Sequence, residues 1–164
     1  MSAERGEVPY RKRTVRAAEI FVPEFVLSTI ADHADDGASM DKEIMGLLIG
    51  RFYRDDDGTY AVVTNSITSG LIADDVSVRF DHSSLEEMFD NMDLKEGECV
   101  VGWYHSHLDI GCFMSPSDVS TQDGIFNGEC GFALVIDPIK QEMKVFDSTP
   151  GDPRQIDMVV IDSD

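Results

Sequence analysis

The spacing of apolar residues predicts the first elements of the chain. Residues 21–34 place their apolar side chains on one face of a helix that begins near Pro23 and ends at the Asp-Asp-Gly sequence at 35–37. Residues 44–53 form an apolar run typical of a buried strand, and residues 60–68 are rich in β-branched side chains. An Asp-Asp-Asp-Gly turn lies between these two runs, which therefore predict a hairpin.

The second half of the chain continues the alternation of strands and helices. Strands are predicted at 76–80, 99–105, 131–137, 143–147 and 156–161, and helices at 81–93 and 115–126. Gly102 lies inside one of the strands and allows a close approach of the neighbouring backbone. Because two pairs of strands are joined by tight turns, we expect an α/β (α+β) fold in which helices pack on a mixed sheet, and not a doubly wound parallel sheet.

Length and charge narrow the class of protein. The chain has 164 residues, 42% of them hydrophobic and 27% charged, which indicates one globular domain. The formal net charge of −19 repels phosphate backbones, so we expect no nucleic-acid partner. No apolar run approaches the 18 residues that a membrane span requires, so we expect no membrane association.

The cysteine content and the N-terminus indicate a cytoplasmic protein. Three cysteines are too few, and odd in number, for a disulfide framework. Residues 1–14 carry a basic cluster without the apolar core of a signal peptide, so we interpret them as a solvated leader before a domain at 15–164. The acidic, lysine-poor composition is typical of an archaeal or otherwise salt-adapted cytoplasm.

A group of polar residues between 105 and 118 carries the candidate chemistry. His105 and His107 end a predicted strand two residues apart, so their imidazoles project from the same face. Asp118 follows in the first turn of the next predicted helix. Two histidines and one carboxylate leave a fourth position of a tetrahedral zinc ion open, which is the arrangement of catalytic rather than structural zinc sites.

Two of these residues have a second interpretation. The sequence Ser115-Pro116-Ser117-Asp118 is also a good helix start, with Ser115 as N-cap, proline at the first helical position and an acidic residue at the third. Taken alone, this capping role is the simpler explanation. A capping hydroxyl at a helix N-terminus can also donate to a developing oxyanion, so both roles stay open for Ser115.

Two motifs in the chain resemble the JAMM/MPN+ zinc metalloproteases. The first is Glu43-Ile-Met-Gly-Leu-Leu-Ile-Gly50, and the second is Val101-Gly-Trp-Tyr-His-Ser-His107, followed by Ser115, Asp118 and Thr121-Gln122. The resemblance is closest to the branch of the proteasome-lid deubiquitinase and the signalosome isopeptidase. It implies a single MPN domain related to the cytidine deaminase fold, covering about residues 15 to 160.

The resemblance also implies an activity and a role for each motif residue. Members of the family cleave ubiquitin or ubiquitin-like modifiers from lysine side chains. By position, His105, His107 and Asp118 would bind one Zn²⁺ per chain. Glu43 would be the general acid and base, and Ser115 would stabilise the tetrahedral oxyanion. Without the resemblance, Glu43 would be interpreted as a solvated carboxylate before a strand.

A substrate groove is implied for the segment at 69–81, which precedes the middle helix. In the family this segment lines the groove for the C-terminal tail of the modifier. An extended tail could pair with a strand here, and neighbouring carboxylates could face a basic residue of the tail. An ordinary solvated loop explains the same residues equally well. The residues concerned are Asp74, Asp75, Val76, Ser77 and Val78.

The chain departs from the family pattern after the second histidine. Leu108 and Asp109 replace the usual proline and small residue, which removes a restraint on the loop. We expect the Asp109 side chain to face solvent. Cys112 lies in the same loop and could bind zinc, but the matching cysteine of the family is not a ligand, so we assign it to packing.

Two other functions compete with the isopeptidase interpretation. The chain could be a metallopeptidase of the same family that acts on small peptides or modifier precursors, or a metal-binding MPN scaffold with little activity. A nucleobase deaminase is disfavoured because the chain lacks His-x-Glu with Cys-x-x-Cys ligands. The expected partner is ubiquitin or a ubiquitin-like protein with its conjugates, and an association with the proteasome stays open.

Overall fold

The structure is a computed structural model, which describes residues 19–68, 92–126 and 129–162. The described strands are β1 Ile20–Pro23, β2 Met45–Asp55, β3 Gly58–Thr68, β4 Cys99–Ser106, β5 Phe132–Asp137, β6 Glu142–Phe146, β7 Gln155–Ile156 and β8 Met158–Ile161. The described helices are α1 Glu24–Ser39 and α2 Pro116–Phe126. Neither of them is long and apolar enough to cross a membrane.

The strands of the described residues form one mixed sheet, in the order β7-β6-β5-β4-β2-β3-β1-β8. The strands β2 and β3 form the predicted antiparallel hairpin, and β5 pairs antiparallel with β6. The strand β4 pairs antiparallel with β2 and parallel with β5, and β1 is parallel to both β3 and β8. The mixed sheet expected from the tight turns is therefore confirmed.

The two edges of the sheet meet at the C-terminal strands. The chain leaves β7 at Ile156 and enters β8 at Met158, although these strands lie at opposite ends of the strand order. Two residues of chain span at most about 7 Å, so the sheet must curl until its edges are close together. The prediction of one continuous strand at 156–161 is wrong because the chain changes partner strand at Asp157.

Each face of the sheet carries its own apolar core. On one face, α1 buries Val26, Ile30 and Ala34 in a cluster with β-strand residues. On the other face, Phe126 of α2 packs in a second cluster that includes Trp103. Val101 and Tyr104 of β4 lie in the first cluster and Trp103 lies in the second, so β4 is covered on both faces in the middle of the sheet. Its continuous apolar run follows from this double burial.

The first helix begins where predicted, after Pro23, but the residues before it and its C-terminal end differ from the prediction. Residues 21 and 22 belong to the strand β1, whose side chains are all buried, and the helix begins at Glu24 after Pro23. A short apolar run does not distinguish a buried strand from the start of a helix. The helix also continues past Gly37 to Ser39. A Cβ on Gly37 would lie 2.6 Å from the Ile44 side chain, so this glycine permits close packing and does not end the helix.

Several predicted features fall outside the described residues. These are the leader at 1–14, the strand at 76–80 and most of the helix at 81–93. Only residues 92 and 93 of that helix are described, and they are not helical.

Candidate metal centre

The end of β4 brings two histidines to the face that α2 covers. Both side chains are buried, with exposed fractions of 2% for His105 and 4% for His107. They share one face because side chains two residues apart on a strand point to the same side. The imidazole of His105 stacks on the indole of Trp103, with ring centroids 4.4 Å apart and 18° between the planes. Beneath them, β4 runs close to β5 because position 102 is glycine. A Cβ there would lie 2.6 Å from the carbonyl oxygen of Phe132.

A capping box at the start of α2 positions the carboxylate. The backbone N–H of Asp118 donates to Oγ of Ser115 at 3.1 Å, and the backbone N–H of Ser115 donates to Oδ2 of Asp118 at 2.9 Å. The capping interpretation of these two residues is therefore correct. The same bonds aim Oδ2 of Asp118 at the histidines, so the cap and the candidate ligand are one arrangement.

The three candidate ligands converge on a small volume. Nε2 of His105 lies 3.1 Å from Oδ2 of Asp118, and Nε2 of His107 lies 3.2 Å from the same oxygen. The ligand atoms of the three residues all lie within 4.8 Å of one another. Atoms bound to one tetrahedral zinc ion at 2.0–2.1 Å lie about 3.4 Å apart, which is close to the two shorter distances.

The proton positions at His107 show that this group fits a cation. Nδ1 of His107 lies 2.8 Å from the carbonyl oxygen of Gly111. A carbonyl only accepts, so Nδ1 carries a proton and Nε2 of the neutral ring holds a lone pair. That lone pair faces a carboxylate oxygen of Asp118, and two lone pairs repel each other unless a proton or a metal ion lies between them. The arrangement therefore requires positive charge at its centre.

The surroundings of His105 and Asp118 support this conclusion, and hydrogen bonds to Asp118 and Gly111 raise the pKa of His107 despite its burial, which also favours positive charge here. Among the described residues, Nδ1 of this buried His105 ring has no hydrogen-bond partner, and Nε2 faces the Asp118 carboxylate oxygen at 3.1 Å. Burial lowers the pKa of His105, so its ring favours the neutral form that binds metals. Burial opposes ionisation of Asp118 as well, but its contacts with His105 and His107 hold the pKa of its carboxyl well below the usual range. A neutral imidazole and an ionised carboxylate are the forms that bind a divalent metal.

Glu43 is held beside this group by the residue between the two histidines. The hydroxyl of Ser106 accepts the backbone N–H of Ile44 at 2.8 Å, and the backbone N–H of Ser106 donates to the carbonyl oxygen of Ile44 at 3.0 Å. Glu43 is 6% exposed. Its burial, with a smaller contribution from the nearby Asp118 carboxylate, raises the pKa of Glu43 to about 7. A carboxyl group with this pKa can both take and return a proton near neutral pH.

The structure also shows where the other candidate residues lie. Asp109 is exposed, and its Oδ1 is 3.8 Å from Nζ of Lys140, as expected of a side chain that faces solvent. Cys112 is buried in the apolar cluster that contains Trp103, and burial raises the pKa of its thiol to about 11, which fits packing rather than ligation. The predicted groove residues Asp74, Asp75, Val76, Ser77 and Val78 lie outside the described residues and stay a prediction.

The sequence interpretation gave no role to two buried polar residues near the site, namely Gln122, which the second motif contains, and Asp137. Gln122 is 1% exposed and follows Asp118 by one turn of α2, so helical spacing from the carboxylate could have identified it. Asp137 is 0% exposed and ends β5. Its only sequence signal is an acidic residue at the end of an apolar strand before proline, which is also the signal of an ordinary turn.

Comparison with known proteins identifies the family. A family profile described as "JAB1/Mov34/MPN/PAD-1 ubiquitin protease" matches residues 16–126. The chain therefore belongs to this family, and the described part of its structure is a single JAB/MPN domain with a mixed sheet, as the resemblance implied.

Several curated relatives are similar to most of the chain. The 26S proteasome non-ATPase regulatory subunit 14 of Drosophila melanogaster is 31% identical over 76% of this chain and 40% of its own length. COP9 signalosome complex subunit 5 of Caenorhabditis elegans is 33% identical over 83% of this chain and 37% of its own. Ubiquitin carboxyl-terminal hydrolase RPN11 of Saccharomyces cerevisiae is 32% identical over 74% of this chain and 39% of its own. The chain thus spans about two fifths of the length of these relatives.

A solved structure shows the same fold at low sequence identity. The solution structure of protein DSY2949 from Desulfitobacterium hafniense matches 88% of this chain and 94% of its own chain, with a TM-score of 0.61 and 19% identity. At this identity the likeness concerns the fold alone.

Proposed function

We propose that this chain is a zinc-dependent isopeptidase that removes ubiquitin or ubiquitin-like modifiers from lysine side chains. The observation that carries the proposal is the convergence of His105, His107 and Asp118, with distances of 3.1 and 3.2 Å between the two Nε2 atoms and one carboxylate oxygen. The membership of the JAB/MPN family supports the same activity, because one of the similar proteins is named a ubiquitin carboxyl-terminal hydrolase.

His105, His107 and Asp118 would hold the cation, and Glu43 would move the proton. When bound, a Zn²⁺ ion supplies Lewis acidity that polarises the scissile carbonyl and acidifies a water molecule. The carboxylate of Glu43 takes a proton from the attacking water as the new C–O bond forms. It returns this proton to the lysine nitrogen as the C–N bond breaks, so that a free amine is released and the second proton of the water stays on the new carboxyl group.

Ser115 would have a second role beside its capping bond. Its hydroxyl oxygen accepts the Asp118 N–H at 3.1 Å, which leaves the hydroxyl proton free to donate elsewhere. Ser115 lies at the N-terminus of α2, where the unpaired N–H groups of the first turn favour negative charge. We assign this proton to the oxyanion that forms when water attacks the carbonyl.

The partners and the location belong to the same proposal. The groove at Asp74 to Val78 would receive the C-terminal tail of the modifier as an added strand. Relatives of this chain are named as subunits of the proteasome and the COP9 signalosome, so an association with a proteasome is included in the proposal. We place the protein in the cytoplasm, on its cysteine content and charge.

The proposal is tested by pairing metal analysis with cleavage assays. The wild-type protein and Glu43→Gln would be given a lysine-linked ubiquitin-like conjugate, a linear fusion and a short peptide. Glu43→Gln should keep about one zinc per chain and lose roughly 10²-fold or more in turnover, as expected when a general base is removed. Glu96→Gln, at an exposed glutamate outside the site, is the matched control and should retain activity.

Each alternative function has its own outcome in these assays. Cleavage of the short peptide with no activity on either protein conjugate would replace the isopeptidase with a small-peptide metallopeptidase. Stoichiometric zinc with no cleavage of any substrate would favour a metal-binding scaffold. Equal turnover of wild type and Glu43→Gln would contradict the role of Glu43.

A further inference from the structure

The carboxylate of Asp137 is buried beside the loop that follows His107. It is 0% exposed and ends β5, next to the strand that carries the histidines. Its oxygens accept five backbone N–H groups, at distances between 2.8 and 3.1 Å. The donors are Asp109, Ile110, Gly111, Ile139 and Lys140. Although burial disfavours the ionised form, these bonds lower the pKa of the Asp137 carboxyl, so it is a carboxylate at neutral pH.

The two oxygens of Asp137 serve different parts of the backbone. Oδ1 accepts the N–H groups of Ile139 and Lys140 in the turn after β5, together with that of Asp109. Oδ2 accepts only from the loop, at 2.9 Å from the nitrogen of Ile110 and 2.8 Å from that of Gly111. The backbone N–H groups of the loop thus point at the Asp137 carboxylate, as those of backbone turns do at anion-binding sites.

The restrained loop ends at the group that orients His107. The carbonyl oxygen of Gly111 accepts the Nδ1 proton of His107 at 2.8 Å. Gly111 has a φ of +89°, a conformation that favours glycine, and the φ of Asp109 is +64°. Position 108 is leucine, so proline does not restrain this loop. The bonds from Oδ2 of Asp137 hold the loop in its place.

From this chain of contacts we infer that Asp137 is a positioning residue for the metal centre. Its carboxylate holds the loop at 108–111 so that the Gly111 carbonyl keeps the proton of His107 on Nδ1 and directs Nε2 at the cation. The inference rests on the metal centre of the proposed function. Partners behind a metal-binding histidine fix its tautomer in this way, and their loss typically weakens metal binding by about 10- to 100-fold.

The substitution Asp137→Asn separates this role from that of an ordinary turn residue. The amide keeps one acceptor oxygen and replaces the other with a donor. The favoured orientation keeps the oxygen at Oδ1, where it retains three bonds, and places the NH₂ group against the N–H groups of Ile110 and Gly111. Asp137→Asn should therefore preserve the turn and release the loop.

The test measures zinc affinity and the protonation of one ring. Zinc affinity would be measured by competition with a chromophoric chelator, and the tautomer of His107 by ¹⁵N NMR of the metal-free protein at a pH high enough to leave its ring neutral. We expect Asp137→Asn to bind zinc about 10- to 100-fold more weakly and to show a mixture of the two His107 tautomers. Asp55→Asn removes a turn carboxylate that accepts the Asp57 N–H in the β2–β3 hairpin, and should match wild type in both measurements.

A second variant keeps the test decisive if Asp137→Asn does not fold. Gly111→Ala leaves the bonding oxygens of Asp137 in place and strains the positive φ of the residue whose carbonyl holds His107. It should weaken zinc binding in the same direction. Wild-type zinc affinity in Gly111→Ala, or in a folded Asp137→Asn, would overturn the positioning role. Failure of the wild-type protein itself to bind zinc would overturn the metal centre instead, so the two failures are distinguishable.

Discussion

The side chain of Gln122 accepts a hydrogen bond of 2.7 Å from the indole N–H of Trp103. The amide nitrogen of the same glutamine donates to the backbone carbonyl of Asp147, also at 2.7 Å. Trp103 in turn forms the surface on which the ring of His105 stacks. One buried amide on α2 therefore fixes the platform beneath a candidate metal ligand, while the preceding turn of the same helix carries Asp118.

Replacing this amide should destabilise the protein and loosen the platform. Gln122→Met has a similar volume but removes the partner of the buried Trp103 N–H, at a cost of about 1–3 kcal/mol, and a donor to the half-buried Asp147 carbonyl, at a smaller cost. Urea unfolding of the metal-free protein would measure the loss. Gln155→Met, at an exposed position in β7, should change the free energy of unfolding by no more than about 0.5 kcal/mol. Equal stability of the two variants would show that the buried bonds contribute nothing.

Ser115 should show two separable effects. Ser115→Ala removes the acceptor for the Asp118 N–H and should cost about 1 kcal/mol of stability, as the loss of an N-cap does. It should also lower turnover on a modifier conjugate by about 10²-fold, because the donor to the oxyanion is lost. Ser115→Asn restores a capping side chain without the hydroxyl, so it should recover stability but not turnover. Full recovery of turnover by Ser115→Asn would leave Ser115 as a cap only.

The protonation of Glu43 predicts how stability depends on pH in the metal-free protein. Its pKa is raised from 4.5 to about 7 on folding, so the folded state is disfavoured when this carboxyl must ionise. The destabilisation is full above about pH 7, diminishes as the pH falls, and vanishes below 4.5. Glu43→Gln should therefore be more stable than wild type at pH 8, and this advantage should shrink between pH 7 and pH 4.5. Urea unfolding at a series of pH values tests this, and a pH-independent difference would contradict it.

Added zinc should stabilise the folded chain through the three converging residues. A ligand at one hundred times its Kd stabilises the folded state by about 2.7 kcal/mol, which thermal unfolding detects as a rise in Tm. His107→Ala should lose this rise. The control is His33→Ala, because His33 bonds Tyr104 and Thr68 away from the site. It should retain the rise even if its own Tm is lower, whereas loss of the rise in both variants would point to non-specific binding.

The sequence predicts the arrangement of the candidate site residues better than it predicts the strand pairing at the edges of the sheet. Period-2 spacing placed His105 and His107 on one face, and helix-start chemistry placed Ser115 and Asp118 in one turn, because both rules act over a few neighbouring residues. The separation of β7 from β8 at Asp157 was not predictable in this way. It depends on which strand each segment pairs with across the curled sheet, and local apolar pattern does not carry that information.

The supporting roles of Gln122 and Asp137 were not predicted, for the same reason. Gln122 forms a hydrogen bond with Trp103, 19 residues away in the sequence, and Asp137 forms one with Gly111, 26 residues away. The roles of both polar residues depend on these distant partners. In the sequence each has an ordinary explanation, as a helix surface residue and a turn residue. Only the burial of their side chains in the folded chain distinguishes these supporting residues from ordinary surface and turn residues.

The most direct test of the metal centre is a crystal structure of the zinc-loaded protein with anomalous data at the zinc edge. It should show one zinc peak per chain, bound by Nε2 of His105, Nε2 of His107 and Oδ2 of Asp118, with Glu43 beside the open position. A peak on the exposed acidic loops, or no peak while the three side chains point away from one another, would contradict the account.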